Sequence, residues 1–239
     1  MKKNIGFSTI NDKTTLLSFV PKANVIYDCG SRDALDGIEL ARLTGARELH
    51  VFECNPDAIK LCESNIERYG SGIKIYMNRM AVTDYCGKVR FFPINTEKTV
   101  TSAKDGNIGA SSLFKANEAY PRERYVQDEI EVEAITLDAY CETHTAPDLL
   151  WMDIQGAELA AIKGSTSTLT QVKAVHTEVG FRPMYKGQPL FWDIHRALRK
   201  NFQLVDLATG RWPNSAVATL TYRVLRTGPW VANAIYVRV

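Results

Sequence analysis

The chain has no apolar run near the ~18 residues that a membrane span requires, so none of its 239 residues reads as part of a transmembrane helix. It has no C-x-x-C pair. Its cysteines, Cys29, Cys54, Cys62, Cys86 and Cys141, are odd in number and widely spaced, which argues against a disulfide framework and a structural zinc site. The start, Met1-Lys2-Lys3, leads into polar residues that continue through Lys13, so no export signal is expected. A reducing, cytoplasmic setting follows. Charge of one sign is also lacking: the net charge is +2 and the cations are scattered, with no basic stripe of the kind that grips a phosphate backbone. A nucleic-acid partner is therefore not expected, and a small or neutral substrate fits better. Nothing in the sequence speaks to oligomeric state.

What is present is ordinary globular composition, 45% apolar and 23% charged, enough for one sizeable α/β domain spanning 1–239. Apolar runs near 24–28, 48–53 and 73–77 alternate with helical patterns, the signature of successive βαβ units with buried parallel strands. Ala34, Ile38 and Ala41 recur at helical spacing and Gly45 closes that helix. Asn55-Pro56 supplies a cap and a first helical residue, and Ile59, Cys62, Ile66 and Tyr69 mark the next inner stripe. The residues 20–92 form a cofactor-binding half. The rhythm then breaks, and 93–147 reads as an insertion, with polar residues 95–125 as an acceptor-site cover or plain disorder. Within it Ile130, Val132 and Ala134 alternate with glutamates, as in a strand with one wet face. The pattern resumes over 148–239. Strands are expected at 149–153, 172–178, 202–207 and 233–239, with helices at 157–163 and around Phe191, Ile194 and Leu198. The whole predicts a Rossmann-like, doubly wound sheet of seven strands, mostly parallel, the last antiparallel.

The chemistry concentrates at the strand tips. Asp28, Gly30 and Ser31 follow the first strand, where an open parallel sheet offers its crevice to a ligand. Glu53 ends the second strand, twenty-five positions after Asp28. An acidic residue about 20 positions past such a turn accepts hydrogen bonds from ribose hydroxyls, and Cys54 and Asn55 border it. After the third strand, Ala81 and Val82 are suited to an adenine face and Asp84 to its amino group. A nicotinamide dinucleotide needs the G-x-G-x-x-G turn for its pyrophosphate, whereas this loop has Gly30 alone, so S-adenosylmethionine fits better. An NAD-dependent oxidoreductase and a non-catalytic nucleoside-binding module are the alternatives.

Asp28-Cys29-Gly30-Ser31-Arg32-Asp33, Phe52-Glu53-Cys54-Asn55-Pro56 and Met152-Asp153-Ile154-Gln155-Gly156-Ala157-Glu158, with Ile135-Thr136-Leu137-Asp138 and Thr177-Glu178-Val179, together resemble the FkbM-type methyltransferase family over roughly residues 24–207. The resemblance implies S-adenosylmethionine as donor and methylation of a hydroxyl oxygen, often on a sugar, glycan or natural product. It also places Asp28, Gly30 and Ser31 near the methionine portion, Glu53 at the ribose and 81–84 near the adenine. The chain departs from the pattern at Ala34, where a second glycine is common. Because a sulfonium methyl is already electrophilic, catalysis needs an aligned acceptor and a base. Asp153 at the tip of the fourth strand is the first candidate, followed by Glu178 on the fifth and His176 one layer deeper. Asp153 and Glu178 together also raise a divalent ion as a second cofactor.

Overall fold

The computed structural model describes residues 7–8, 12–118, 120–208 and 230–239. The basic start of the chain, Ala119 and residues 209–229 of the expected second half lie outside the described residues. A two-residue strand β1 (Phe7–Ser8) and helix α1 (Asp12–Phe19) precede β2 (Val25–Cys29), whose five residues are all buried. Such burial on both faces is what a central parallel strand requires. Helix α2 (Leu35–Thr44) follows, and Gly45 at φ 72° returns its N–H to the Ala41 carbonyl, ending the helix where the sequence predicts. After β3 (Glu48–Phe52), α3 (Pro56–Tyr69) begins as expected, with the Asn55 side chain accepting from the Asp57 N–H and Pro56 in the first turn. Its inner stripe differs from expectation. Ala58 and Cys62 are buried and Ile66 packs beside them, whereas Ile59 is half-buried and Tyr69 is exposed. Ile59 sits about 100° round the helix from Ala58, which leads the i, i+4 row facing the sheet.

Strand β4 (Lys74–Asn78) is followed by a small second sheet made of β5 (Ala81–Val82), β6 (Gly87–Phe91) and β7 (Ile130–Ile135), ordered β5-β7-β6. Glu131 and Glu133 face water while Ala134 is buried, the alternation the sequence shows. Then come α4 (Leu137–Tyr140), β8 (Leu149–Met152), α5 (Glu158–Lys163), β9 (Ala174–Gly180), α6 (Phe191–Leu198), β10 (Phe202–Ala208) and β11 (Val231–Arg238). Phe191, Ile194 and Leu198 are the buried stripe of α6, as expected.

The main sheet runs β1-β10-β11-β9-β8-β2-β3-β4, with β11 antiparallel to both neighbours. The seven expected strands all form, and the short β1 adds an eighth at the edge. Strand order reverses between β2 and β8, so the carboxyl tips of β2, β3, β8 and β9 open one crevice at the switch point. Two apolar layers hold it: Tyr27, Phe52, Leu150 and Val175 belong to one, and Ile26, Leu49, Val51 and Trp151 to the other. Burying each such side chain contributes ~1.5–3 kcal/mol, against less than ~1 for an exposed pair such as Lys60–Asp57. The sheet is held by its core. Among the described residues no helix is long and apolar enough to cross a membrane.

Candidate active site

The loop after β2 is bent by positive φ angles at three alternate residues, Gly30 (76°), Arg32 (59°) and Ala34 (65°). Gly30 is required for a reason the sequence does not reveal. A Cβ there would lie 1.9 Å from the Asp153 carbonyl oxygen, so the space belongs to the neighbouring strand rather than to a ligand alone. Asp28 is buried beneath this loop, where its carboxylate accepts from the Ser31 hydroxyl and lies against Gly37 of α2. Burial raises its pKa to about 7. Asp28 and Ser31 thus brace the loop from below and do not line the cleft.

Glu53 does line it, together with Cys54 and Asn55. One carboxylate oxygen accepts from the Cys54 and Asn55 N–H groups (2.9 and 2.8 Å) and the other from the Arg32 N–H (2.9 Å). With four acceptor positions and three in use, the oxygen facing Arg32 keeps one for a ligand hydroxyl. Burial raises the Glu53 pKa, against the three backbone bonds that favour its charged form. Beyond Glu53 the inner cleft is walled by Met80, Ala81, Val82, Phe91 and Leu113. Asp84 stands outside it, exposed.

An outer cleft of about 760 Å³ adjoins the inner one, and Gly30, Arg32, Gly109, Asp153 and Gln155 line both. At this junction the Gln155 amide donates to Asp153 Oδ1 (2.6 Å) and to Glu178 Oε2 (3.2 Å). Its carbonyl oxygen accepts from the buried Tyr185 hydroxyl at 2.7 Å, with the Ala110 carbonyl 2.8 Å away as the alternative acceptor. Glu158 supplies a third carboxylate, this one buried, which accepts from the Ile154 and Gly156 N–H groups (3.1 and 3.2 Å). It, and not Asp153, holds the amides leading into α5. Burial raises Asp153, lifts Glu178 well above the usual range and pushes Glu158 up to about 7; repulsion from Asp153 adds to the shifts of Glu178 and Glu158, and repulsion from Glu158 to that of Glu178. The junction is therefore a site with more negative charge than it can comfortably carry.

His176 is on the same side of the sheet, one layer down, away from both clefts. Its ring stacks on Trp151 (3.4 Å between centroids) and Nε2 meets Asp12 Oδ2 at 3.2 Å. His50, three strands away on β3, is buried among Tyr27, Tyr76 and Tyr140, and desolvation pushes its pKa down to about 4. No group of three His, Cys, Asp or Glu residues able to hold a metal ion occurs among the described residues.

The segment after β6 folds over the clefts. Isolated bridges pair Phe92 with Ser112, Ile94 with Gln127 and Val100 with Arg124, and a 3₁₀ turn spans Ile108–Ala110. It is fastened to the sheet by Arg32 to Asp105, Asn55 to Ser111 (3.0 Å) and Ser112 to the Gln155 carbonyl (2.6 Å). Sequence reasoning gave no role to Gln155 or to the Ile108–Leu113 wall. Gln155 stood inside a recognised motif, and its φ of 52° is invisible without coordinates.

A model of the methyltransferase FkbM domain matches residues 28–204. The 2-O-methyltransferase NoeI of Sinorhizobium fredii (strain NBRC 101917 / NGR234) is 30% identical over 186 residues, covering 76% of this chain and 74% of that protein. Among solved structures, a Clostridium thermocellum protein assigned as an rRNA methylase superposes with a TM-score of 0.52 at 9% identity, covering 99% of this chain and 98% of that one. An S-adenosyl-L-methionine complex of a Streptococcus pneumoniae protein assigned as a tRNA methyltransferase gives 0.47 at 14% identity, covering 97% and 73%. At 9% identity the first of these two likenesses speaks to the fold alone, which is that of Rossmann-like methyltransferases.

Proposed function

Because the chain belongs to the FkbM methyltransferase family and S-adenosylmethionine is its methyl donor, we propose that it methylates a hydroxyl oxygen of a sugar or glycan acceptor. The observation that carries this is the junction: two clefts meet at Asp153 and Gln155, beside buried Glu158 and half-buried Asp153 and Glu178. The donor fits the inner cleft on three counts. Glu53 keeps an acceptor position for ribose, the Met80–Val82 and Phe91 wall suits a flat apolar ring, and the excess negative charge suits a cation. When bound, S-adenosylmethionine supplies an electrophilic methyl on a positively charged sulfur.

The chain's own groups then have three tasks. Glu53 fixes the nucleoside end, and the cover excludes water from the reacting centre. Asp153, the carboxylate lining both clefts, accepts the acceptor's hydroxyl proton. Its raised pKa makes it a better base than an exposed aspartate. Glu178 lies across the outer cleft, joined to Asp153 through Gln155, and orients the acceptor by taking a hydrogen bond from a second hydroxyl. A 2-O-methyltransferase among the relatives supports the oxygen-directed reading. The five cysteines are free thiols, in keeping with a cytoplasmic enzyme.

The test pairs binding with turnover. Asp153→Asn is expected to keep its affinity for S-adenosylhomocysteine, measured by calorimetry, and to lose ~10²–10⁴ in kcat. An unchanged kcat would remove Asp153 as the base.

A further inference from the structure

The outer cleft abuts a second opening in the cover. Tyr120, Glu123 and Tyr125 line it on one side, and the same three residues line a larger surface groove of about 1360 Å³ on the other. They form a built wall. Glu123 accepts from the Thr101 hydroxyl (2.5 Å), from the Asn107 amide (2.7 Å) and from the Tyr125 hydroxyl, so its carboxylate is fixed on three sides. The Tyr120 and Tyr125 rings lie 6.2 Å apart at 28°, and Trp230 meets Tyr120 edge-on at 5.2 Å. The Gln127 side chain holds the groove floor by accepting from the Ala116 N–H (2.7 Å) and donating toward the Phe92 and Phe114 carbonyls (3.3 Å each).

The groove's chemistry narrows its occupant. Four cationic and four anionic side chains line it, so it carries no net charge to attract a polyanion such as RNA. Lys115 lies 5.2 Å above the Phe92 ring and 3.2 Å from Glu129, and exposed Arg122 has no ion-pair partner among the described residues. Donors and acceptors of both kinds beside tyrosine faces suit a neutral, polyhydroxylated ligand, which offers hydroxyls at its edges and C–H groups on its faces.

We propose that the acceptor is an oligosaccharide of at least two units. The unit to be methylated lies in the outer cleft beside Asp153 and Glu178, and the next unit lies in the groove beyond the Tyr120–Glu123–Tyr125 wall. The proposal rests on the sugar-directed reading above and adds the acceptor's length and the surface that recognises it. Binding energy from the remote unit lowers KM and improves alignment of the reacting one.

The experiment uses the full chain with S-adenosylmethionine and a panel of common pyranoses, their di- and tetrasaccharides, and a short RNA, with methylation read by mass spectrometry. For the sugar that is methylated, kcat/KM is expected to rise about tenfold or more from monosaccharide to oligosaccharide, a gain of ~1.4 kcal/mol. Arg122→Glu and Lys115→Ala, both at exposed positions, are expected to shrink that ratio. Equal kcat/KM for both lengths, a ratio that neither variant changes, or methylation of monosaccharides alone overturns the proposal and leaves the sugar reading standing. Methylation of RNA, or of no sugar by protein that binds S-adenosylhomocysteine, overturns both.

Discussion

The inner cleft and the cover above it are built by opposite means. The cleft's floor is the row of strand tips, in which backbone ladders and buried apolar side chains set every position: Gly30 is pressed against Asp153, and Glu53 is tied to three backbone N–H groups. The cover is joined by single bridges and side-chain hydrogen bonds such as Thr101 to Glu123 and Asn55 to Ser111. Ladder structure with a core gives a rigid, transferable donor site, while side-chain networks can be rewritten without disturbing the sheet.

The largest expected effect tests the rigid half. Gly30→Ala forces a Cβ into the Asp153 carbonyl at a positive φ, and a loss of about 3 kcal/mol or more, or roughly 10 °C in Tm, is expected by thermal unfolding. A near-native Tm would mean that the strand tips yield far more easily than their packing implies. Next, Glu53→Gln removes a charged acceptor but keeps the side-chain shape, and S-adenosylhomocysteine should bind about tenfold to a hundredfold more weakly. Unchanged affinity would sever Glu53 from the ribose.

A third prediction concerns pH. Glu158 titrates at about 7 in the folded protein, above its ordinary 4.5, so its stabilising contribution is complete below ~4.5 and is lost as pH rises through 7. Asp28, also near 7, acts in the same direction. Tm is expected to fall over that window, and Glu158→Gln, which can still accept from Ile154 and Gly156, should make the fall shallower. A slope identical to that of the parent chain would contradict this. The smallest effect is at Ala34. Its φ of 65° is costly for any residue with a Cβ, so Ala34→Gly should raise Tm by ~2–4 °C, corresponding to about 1 kcal/mol. No rise would show that the loop's strain is relieved elsewhere.

Much of the rigid half was legible in the sequence. Val25–Cys29 and Glu48–Phe52 are mostly apolar runs, interrupted by Asp28, Glu48 and His50, as central strands buried on both faces require, and Asn55-Pro56 and Gly45 mark helix ends by local chemistry alone. The α3 stripe was misjudged at Ile59 and Tyr69 because which i, i+4 row faces the sheet depends on how the helix is set against it. In the cover, residues 95–125 have no period to read, since their order comes from partners distant in sequence, such as Val100 with Arg124 and Ala116 with Tyr185.

Local sequence by itself determined the strands, the caps and the acidic tips, because hydrophobic period, capping and strand length act within a few residues. Tertiary structure decided what those tips became. It buried Asp28 and Ser31 under the loop and left Asp84 outside the cleft. It also brought Asp153 and Glu178, twenty-five positions apart, onto the two hydrogens of one glutamine amide. The physical reason is that a carboxylate's role depends on burial and on its hydrogen-bond partners, and both are properties of neighbours that only the folded sheet supplies.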